Sequence, residues 1–244
     1  MQAADPVPAA GQPVPVDAAA TDEPASTEQA VIEVDPNVVS YEDYADPLEP
    51  FNRAMFKFND VVGRYVLIPA GKGYAKVVPD VVDRRVASFF DNVEHPVYAI
   101  NQALQADFKP AGTNLLRFGI NTTIGLLGLF DPAEAVFGLE REPSDFAETL
   151  AHYDFGYGNY IVLPFFGPSD TRNGIARGVD FLFNPIPWVT ESPDGFLILS
   201  YGWFQDFAQS AETYEKLLER PEDPYTFLRN LHLQGIQRDA AYRD

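Results

Sequence analysis

Apolar residues recur at helical spacing along most of the chain from residue 46 on. Val82, Val86, Phe89, Phe90 and Val93 stand at i, i+4, i+7, i+8 and i+11, one face of an α-helix. His95-Pro96 then predicts a break, because a residue before proline avoids the α region. A further helix follows through Val97, Ile100 and Leu104. Between about Pro50 and Tyr65, Phe51, Met55, Phe58 and Val62 form one stripe, while Phe56, Val61 and Val66 lie off it. Asp-Pro steps mark helix starts. Asp46-Pro47-Leu48-Glu49 offers an N-cap acceptor, a first-turn proline and an acid at the positive helix end, with Pro50 able to move the start to Glu49. Asp131-Pro132-Ala133-Glu134 and Asp223-Pro224 repeat the signal. The last helices are expected at about 197–218 and 224–238. Phe155-Gly156-Tyr157-Gly158-Asn159 reads as a loop, and Asn184-Pro185-Ile186-Pro187 as a second break. Strict alternation is rare, so no sheet of any size is expected. The fold class is all-α.

Some segments are apolar almost all round: Ile161 to Phe166, Phe181-Leu182-Phe183, and Phe196 to Phe204. Read as helices, such segments are either deep in a core or facing lipid. Two readings stay open on the pattern alone. One is a well-packed helical core. The other is a protein lying in one membrane leaflet, held by apolar helix faces. A span is not expected: the most apolar stretch, Ile120 to Phe130, is about half of the ~20 residues a span needs, and Gly125 and Gly128 interrupt it.

Charge divides the chain. Residues 1–45 hold nine acids and no Lys or Arg, and the first basic residue is Arg53. Residues 1–40, rich in Ala, Pro and acids, are expected to be a disordered tether, since they bury too little apolar surface to offset ordering. Residues 41–240 are expected to form the folded body. No charged start precedes an apolar run, so no signal peptide is expected in this chain. The net charge of −19 argues against nucleic acid as a partner. The absence of cysteine excludes thiolate catalysis, thiolate metal sites and disulfides. At 46 % apolar and 14 % aromatic, the chain has material for a core, and more aromatics than an ordinary soluble domain.

Catalytic motifs are missing. There is no G-x-S-x-G elbow, P-loop, G-x-G-x-x-G, H-E-x-x-H or EF-hand loop. Gly71-Lys72-Gly73 and Gly156-Tyr157-Gly158 read as turns. Asp91 and His95, at i and i+4, are expected to form a helix-end ion pair rather than a catalytic dyad. His152, beside Tyr153 and Asp154, is expected to be a capping or core histidine. The chain is not expected to be an enzyme, and no cofactor or metal is expected.

Several ordered motifs resemble the MlaA (VacJ) lipoprotein family. Asp46-Pro47-Leu48-Glu49-Pro50-Phe51-Asn52-Arg53-Ala54-Met55-Phe56-Lys57-Phe58-Asn59 resembles that family's D-P-(L/F)-E-x-(F/I)-N-R-x-(M/I)-(F/Y)-x-F-N opening. Asn92 to Pro96 is similar to its N-(L/I)-x-x-P. Arg117 to Gly125 resembles R-F-x-(I/L)-N-(S/T)-x-(I/L)-G, followed by G-(L/F)-(F/I)-D at Gly128 to Asp131. Phe146 to Leu150, Gly156 to Tyr160, Leu163 to Pro168 and Asp223-Pro224-Tyr225 resemble F-x-x-T-L, G-x-G-x-Y, L-P-x-x-G-(P/S) and D-P-Y. Thr171-Arg172-Asn173 stands where the family has a short arginine-bearing helix start. The likeness runs from about 41 to 238.

That resemblance implies a ring-like arrangement of amphipathic and apolar helices seated in the inner leaflet of the outer membrane, around an amphipathic passage. It implies a lipoprotein on the periplasmic face. Its function would be to remove mislocalised phospholipid from the outer leaflet and pass it to a soluble periplasmic carrier, maintaining lipid asymmetry. A trimeric porin would be a partner. The alternatives are a porin-binding scaffold without a lipid path, and a soluble lipid hydrolase. One departure stands out. The family's mature chain begins at a lipidated cysteine and this chain has none, so Met1 is expected to stand in place of the export signal and anchor. Helix 50–65 combines Asn52, Lys57 and Asn59 with Phe51, Met55 and Phe58, and is the candidate to line or gate the passage. An equal reading is that the two asparagines only satisfy backbone or neighbouring groups. Gly125 and Gly128 would allow close helix approach or a bend.

Overall fold

The structure, a computed structural model, describes residues 44–219 and 221–241. The expected tether at residues 1–40 lies outside the described residues. Helix α1, Glu49–Val62, begins where Pro50 allows, at Glu49. The Asp46 carbonyl accepts the Glu49 N–H at 3.2 Å. The Asp46 carboxylate does not cap the helix as expected. It turns instead to Asn52 and Tyr225. The predicted helix 50–65 ends at Val62, and the chain continues through a π-helical turn, Gly63–Leu67, into α2, Ile68–Val77.

The break predicted at His95-Pro96 does not occur. Helix α3 runs unbroken from Asp80 to Leu104 with Pro96 inside it. Val93, His95, Val97, Tyr98 and Ala99 are all buried around the proline, and α3 lies along α4, Phe108–Thr123. His95 is also held by two α4 side chains. Tertiary packing on both sides of Pro96 outweighs the local preference of the residue before it.

Short helices α5, Pro132–Ala135, and α6, Phe146–His152, follow, capped by the carboxylates of Asp131 and Asp145. Ile161 to Phe166, read as helical, is instead most of a hairpin. Strand β1, Tyr160–Leu163, pairs antiparallel with β2, Gly167–Asp170, with Tyr160 opposite Asp170 and Val162 opposite Pro168. Phe165 (φ 68°) and Gly167 (φ 79°) turn the chain with left-handed dihedrals that a helix cannot hold. The chain then forms α7 (Thr171–Phe183), α8 (Ile186–Val189), α9 (Asp194–Glu219) and α10 (Pro224–Ala241). The last two match the predicted helices, and Asn184-Pro185-Ile186-Pro187 is the break expected.

The elements pack in a closed circuit. Helix α9 lies on α3 and α2; α2 leads back through the π-turn to α1; α1 packs on β1; the hairpin packs on α7; and α7 returns to α3 and α6. Gly71 makes the α2–α9 approach possible: a Cβ there would stand 3.1 Å from the Ala208 Cα.

Burial runs opposite to that of a water-soluble bundle. On α4 the buried face is Pro110, Ala111, Asn114, Arg117 and Asn121, while Phe108, Leu115 and Leu116 are exposed. On α1 the buried residues are Asn52 and Asn59, while Phe51, Phe58 and Val61 are exposed. Helix α7 buries Arg172 and Ala176 and exposes Ile175, Phe181 and Leu182. Past α4, Leu126, Leu127, Leu129 and Phe130 add an exposed apolar loop. On these helices large apolar side chains lie outside, while Val93, Val97 and Tyr98 of α3 are among the apolar residues that stay buried. Exposed apolar surface on this scale marks contact with a membrane or another protein. No helix among the described residues is long and apolar enough to cross a membrane.

Candidate functional site

The hairpin is held open-edged against α1 by two asparagines seven residues apart. Asn52 is fully buried. Its Nδ2 donates to the Tyr160 carbonyl at 3.1 Å, and its Oδ1 accepts the Val162 N–H at 2.9 Å. Asn59 repeats the pattern, donating to the Leu163 carbonyl at 2.8 Å and accepting the Phe165 N–H at 2.7 Å. The Asn52 carboxamide presents one donor and one acceptor to residues i and i+2 of β1, as a neighbouring strand would, and Asn59 repeats the i, i+2 pattern where β1 enters the turn. Val162 stands opposite Pro168, and its N–H faces α1 rather than β2. Asn52 Nδ2 also meets Asp46 Oδ1 at 2.9 Å, and Tyr225 donates to the other Asp46 oxygen. The two distant Asp-Pro motifs thus meet at one point, where Tyr160, Val162 and Tyr225 form a small buried cluster with Met55 against it.

Beside the hairpin turn lies a cavity of about 320 Å³. Val62, Leu67, Phe165, Phe166, Trp203 and Phe207 give it apolar walls, and Asn59, Asp206, Ser210 and Tyr214 give it polar points. Its aromatics are in mutual contact. Phe166 meets Trp203 at 5.6 Å, Trp203 stacks on Phe207 at 5.9 Å, and Phe207 meets Tyr214 at 5.9 Å. Phe58 sets its ring edge-on to Phe165 at 5.2 Å.

Asp206 joins this cavity to a charged cluster. Burial first, and then the charge of Asp91, push its carboxyl above the ordinary range, against the pull of Arg141. Arg141 lies 2.7 Å from Asp91 and 3.4 Å from Glu94, and donates to the Tyr98 hydroxyl at 2.8 Å. Burial also raises the Glu94 carboxyl, although half of that side chain stays accessible to water.

A buried network places Arg141. Arg117, 1 % exposed, donates to the Leu139 carbonyl and pairs with Asp131 at 2.6 Å. Asn114 and Gln102 donate to the Glu142 carbonyl at 2.7 and 2.9 Å. These bonds clamp the segment that carries Arg141 from both sides. Between Arg117 and Asn114 sits His95. Arg117 Nε donates to its Nε2 at 3.3 Å, which makes Nδ1 the protonated nitrogen facing Asn114 Oδ1 at 2.9 Å. Burial, with the neighbouring Arg117 charge, lowers the His95 pKa to about 4. The expected Asp91–His95 ion pair is absent: Asp91 turns to Arg141, and His95 stays neutral. His152 is exposed at the end of α6, not in a core, with its ring edge-on to Tyr153 at 5.1 Å.

Of the six residues singled out on helix 50–65, Asn59 lines the cavity and Phe58 meets, edge-on, a residue that lines it. Asn52 and Met55 face the hairpin and its cluster. Phe51 and Lys57 are exposed. Gly125 and Gly128 lie elsewhere, in the turn after α4. A Cβ at Gly125 would meet the Phe130 oxygen at 2.4 Å; one at Gly128 (φ 90°) would meet the Asn92 Cβ at 2.4 Å. Asp91, Glu94, Arg141 and Asp206 were not singled out as a group. Nothing in local spacing brings residues of α3, a loop and α9 together.

A family profile described as MlaA lipoprotein matches residues 44–239. The "Intermembrane phospholipid transport system lipoprotein MlaA" of Haemophilus influenzae is 34 % identical over 197 residues, 79 % of this chain and 78 % of that protein. The Escherichia coli protein of the same description is 33 % identical over 193 residues, 78 % and 76 % of the two chains. An uncharacterized protein of Rickettsia felis is 35 % identical over 198 residues, covering 81 % and 78 %. A solved structure from work described as "Structural basis for maintenance of bacterial outer membrane lipid asymmetry" superposes with a TM-score of 0.65 at 33 % identity, covering 78 % of this chain and 96 % of that one.

Proposed function

This chain belongs to the MlaA lipoprotein family, and on that footing we propose that it carries phospholipid out of the outer leaflet of a bacterial outer membrane to a soluble periplasmic carrier. The relatives' description as phospholipid-transport lipoproteins supports the class of activity. The observation that carries the reading in this chain is the inverted burial of α1, α4 and α7, which put polar residues inside and Phe, Leu and Ile outside. A helix with its apolar face outward gains ~25 cal/mol for each Å² of that face placed in hydrocarbon. Since no described helix can span, the body would sit in one leaflet, on the periplasmic side, where a trimeric porin can flank it.

The interior then has two chemistries in sequence. The aromatic cavity suits acyl chains, and the cluster around Arg141 and Asp206 suits a headgroup. Helix α1 forms one wall of the passage. Through Asn52 and Asn59 it sets the position of the hairpin whose turn, with Phe165 and Phe166, closes the cavity. The lipid would pass without any bond being made or broken. Native mass spectrometry of the protein extracted in mild detergent tests this. Intact phospholipid at a defined ratio is expected. A protein that stays empty, yet requires detergent to remain in solution, would refute the passage and leave a porin-binding scaffold.

A further inference from the structure

One face of α9 forms a wall of the cavity beside the hairpin turn. Trp203, Asp206, Phe207, Ser210 and Tyr214 stand on that face. From Trp203 to Tyr214 the helix rises about 16 Å. Spread over that length, 320 Å³ leaves a slot about 20 Å² in section. Packed carbon atoms stand about 3.5–4.0 Å apart, so one extended hydrocarbon chain fills such a section and two side by side do not fit.

A second observation concerns the polar groups of the slot. Half-buried Val62, Leu67, Trp203 and Phe207 make its floor, while Asp206 and Ser210 are exposed at its rim. Among the described residues, no hydrogen bond ties the side chain of Asp206, Ser210 or Tyr214 to a neighbour. Asn59, by contrast, has both amide atoms engaged by the hairpin. Arg177 stands 5.4 Å over the Phe166 ring of the hairpin wall, a guanidinium placed for a phosphate.

We propose that this slot takes phospholipid one acyl chain at a time, and that it binds single-chain lysophospholipid in preference to the two-chain parent. The proposal rests on the lipid-transport reading above and adds a class of lipid to it. A two-chain lipid that seats one chain must lay the other across the rim. Its methylenes would then cover the Asp206 carboxylate and the Ser210 hydroxyl, which lose water and gain no partner. A lysophospholipid has a free glycerol hydroxyl in that place. It donates to Asp206 and accepts from Ser210. The phosphate and the seated chain are common to both lipids and do not discriminate.

The test is competition between palmitoyl lysophosphatidylethanolamine and dipalmitoyl phosphatidylethanolamine at equal mole fraction in mixed micelles, read by native mass spectrometry of the full chain. Wild-type protein is expected to retain the lysophospholipid about fivefold over the two-chain lipid, the scale of one hydrogen bond. Ser210→Trp, which fills the slot from its exposed rim, is expected to lose the bound lysophospholipid while melting at the wild-type temperature. A second reading leaves the slot unaltered. In Trp188→Phe protein, Trp203 is the one remaining tryptophan, and a lysophospholipid brominated on its chain is expected to quench most of its emission. Equal retention of both lipids, or preference for the two-chain lipid, overturns this proposal and leaves lipid transport standing. So does full retention of lysophospholipid by Ser210→Trp, or an unquenched Trp203, since either puts the lipid on the outer surface. Retention of neither lipid by the wild type overturns the transport reading, and this proposal with it.

Discussion

Replacing Asn52 with leucine isolates the role of a buried amide that stands in for a strand. The substitution keeps the approximate volume and removes both polar atoms. The Val162 N–H and the Tyr160 carbonyl then lose their Asn52 partners inside the α1–hairpin contact. An orphaned buried backbone group costs about 1–3 kcal/mol. Two together give about 2–6 kcal/mol, a large part of a total that runs to about 5–15 kcal/mol. For a body of this size the melting temperature should fall by roughly 5–15 °C, followed by circular dichroism in mild detergent. Hydrogen exchange supplies the local reading. The Val162 amide should exchange at least about tenfold faster, while amides in the middle of α3 change only with global stability. Asn52→Asp separates the two bonds, since it keeps the acceptor for Val162 and loses the donor to Tyr160. A loss below about 0.5 kcal/mol in Asn52→Leu, with Val162 still protected, would refute the strand-mimic argument.

Gly128→Ala combines a φ of 90° with a Cβ placed 2.4 Å from the Asn92 Cβ, so a loss of about 2–4 kcal/mol is expected in the same melts. Gly119→Ala, inside α4 with nothing within 4 Å, should instead gain about 0.5–1 kcal/mol. His95, held neutral with its pKa lowered to about 4, gains its proton only on unfolding as pH falls from about 6.5; stability should therefore drop across that window by up to about 3 kcal/mol, and His95→Gln should flatten the profile. Phe58→Ala should cost less than about 1 kcal/mol, since that ring is half exposed, yet lower the lipid retained per molecule in native mass spectra. Leu116→Lys, on the exposed face of α4, should leave the detergent melt within about 0.5 kcal/mol and weaken flotation with phospholipid vesicles several-fold; unchanged flotation would remove that face from the membrane contact.

The helices were legible because their signals are local. The final two helices and the Asp131 cap follow from spacing and from single residues. What escaped depends on partners far away in sequence. The α-conformation around Pro96 is imposed by α4, from which Asn114 and Arg117 reach His95. The strand at Tyr160–Leu163 looked helical because apolar residues occupied both of its faces, and the reason lies in α1 and α10, which cover it. The motif residues Asn52 and Asn59 could be seen to share a helix face, but not that their amides would meet an open strand edge. Arg141 carried no signal of its own. Its importance comes from the clamp on the backbone at Leu139 and Glu142 and from carboxylates on two other elements.

These observations share one physical cause. A protein whose outer surface is apolar cannot also draw its folding energy from a large apolar core, because the chain has only so many Phe, Leu and Ile side chains to place. Its helices must then be specified by what is polar and inside. Here Asn, Gln, Arg and His hold one another through directional bonds, and Gly and Ala allow backbones to approach, as at Gly71 against Ala208. Such an interior fixes position more sharply than an apolar one, since a misplaced amide loses its partner outright. It also leaves charge and hydrogen-bonding groups lining whatever space the circuit encloses. On the proposed function, the choice that would suit the outside to lipid would also supply the inside with polar groups for a headgroup. Structural bonds and cavity lining meet on α1, where Asn59 holds the hairpin and lines the cavity at once.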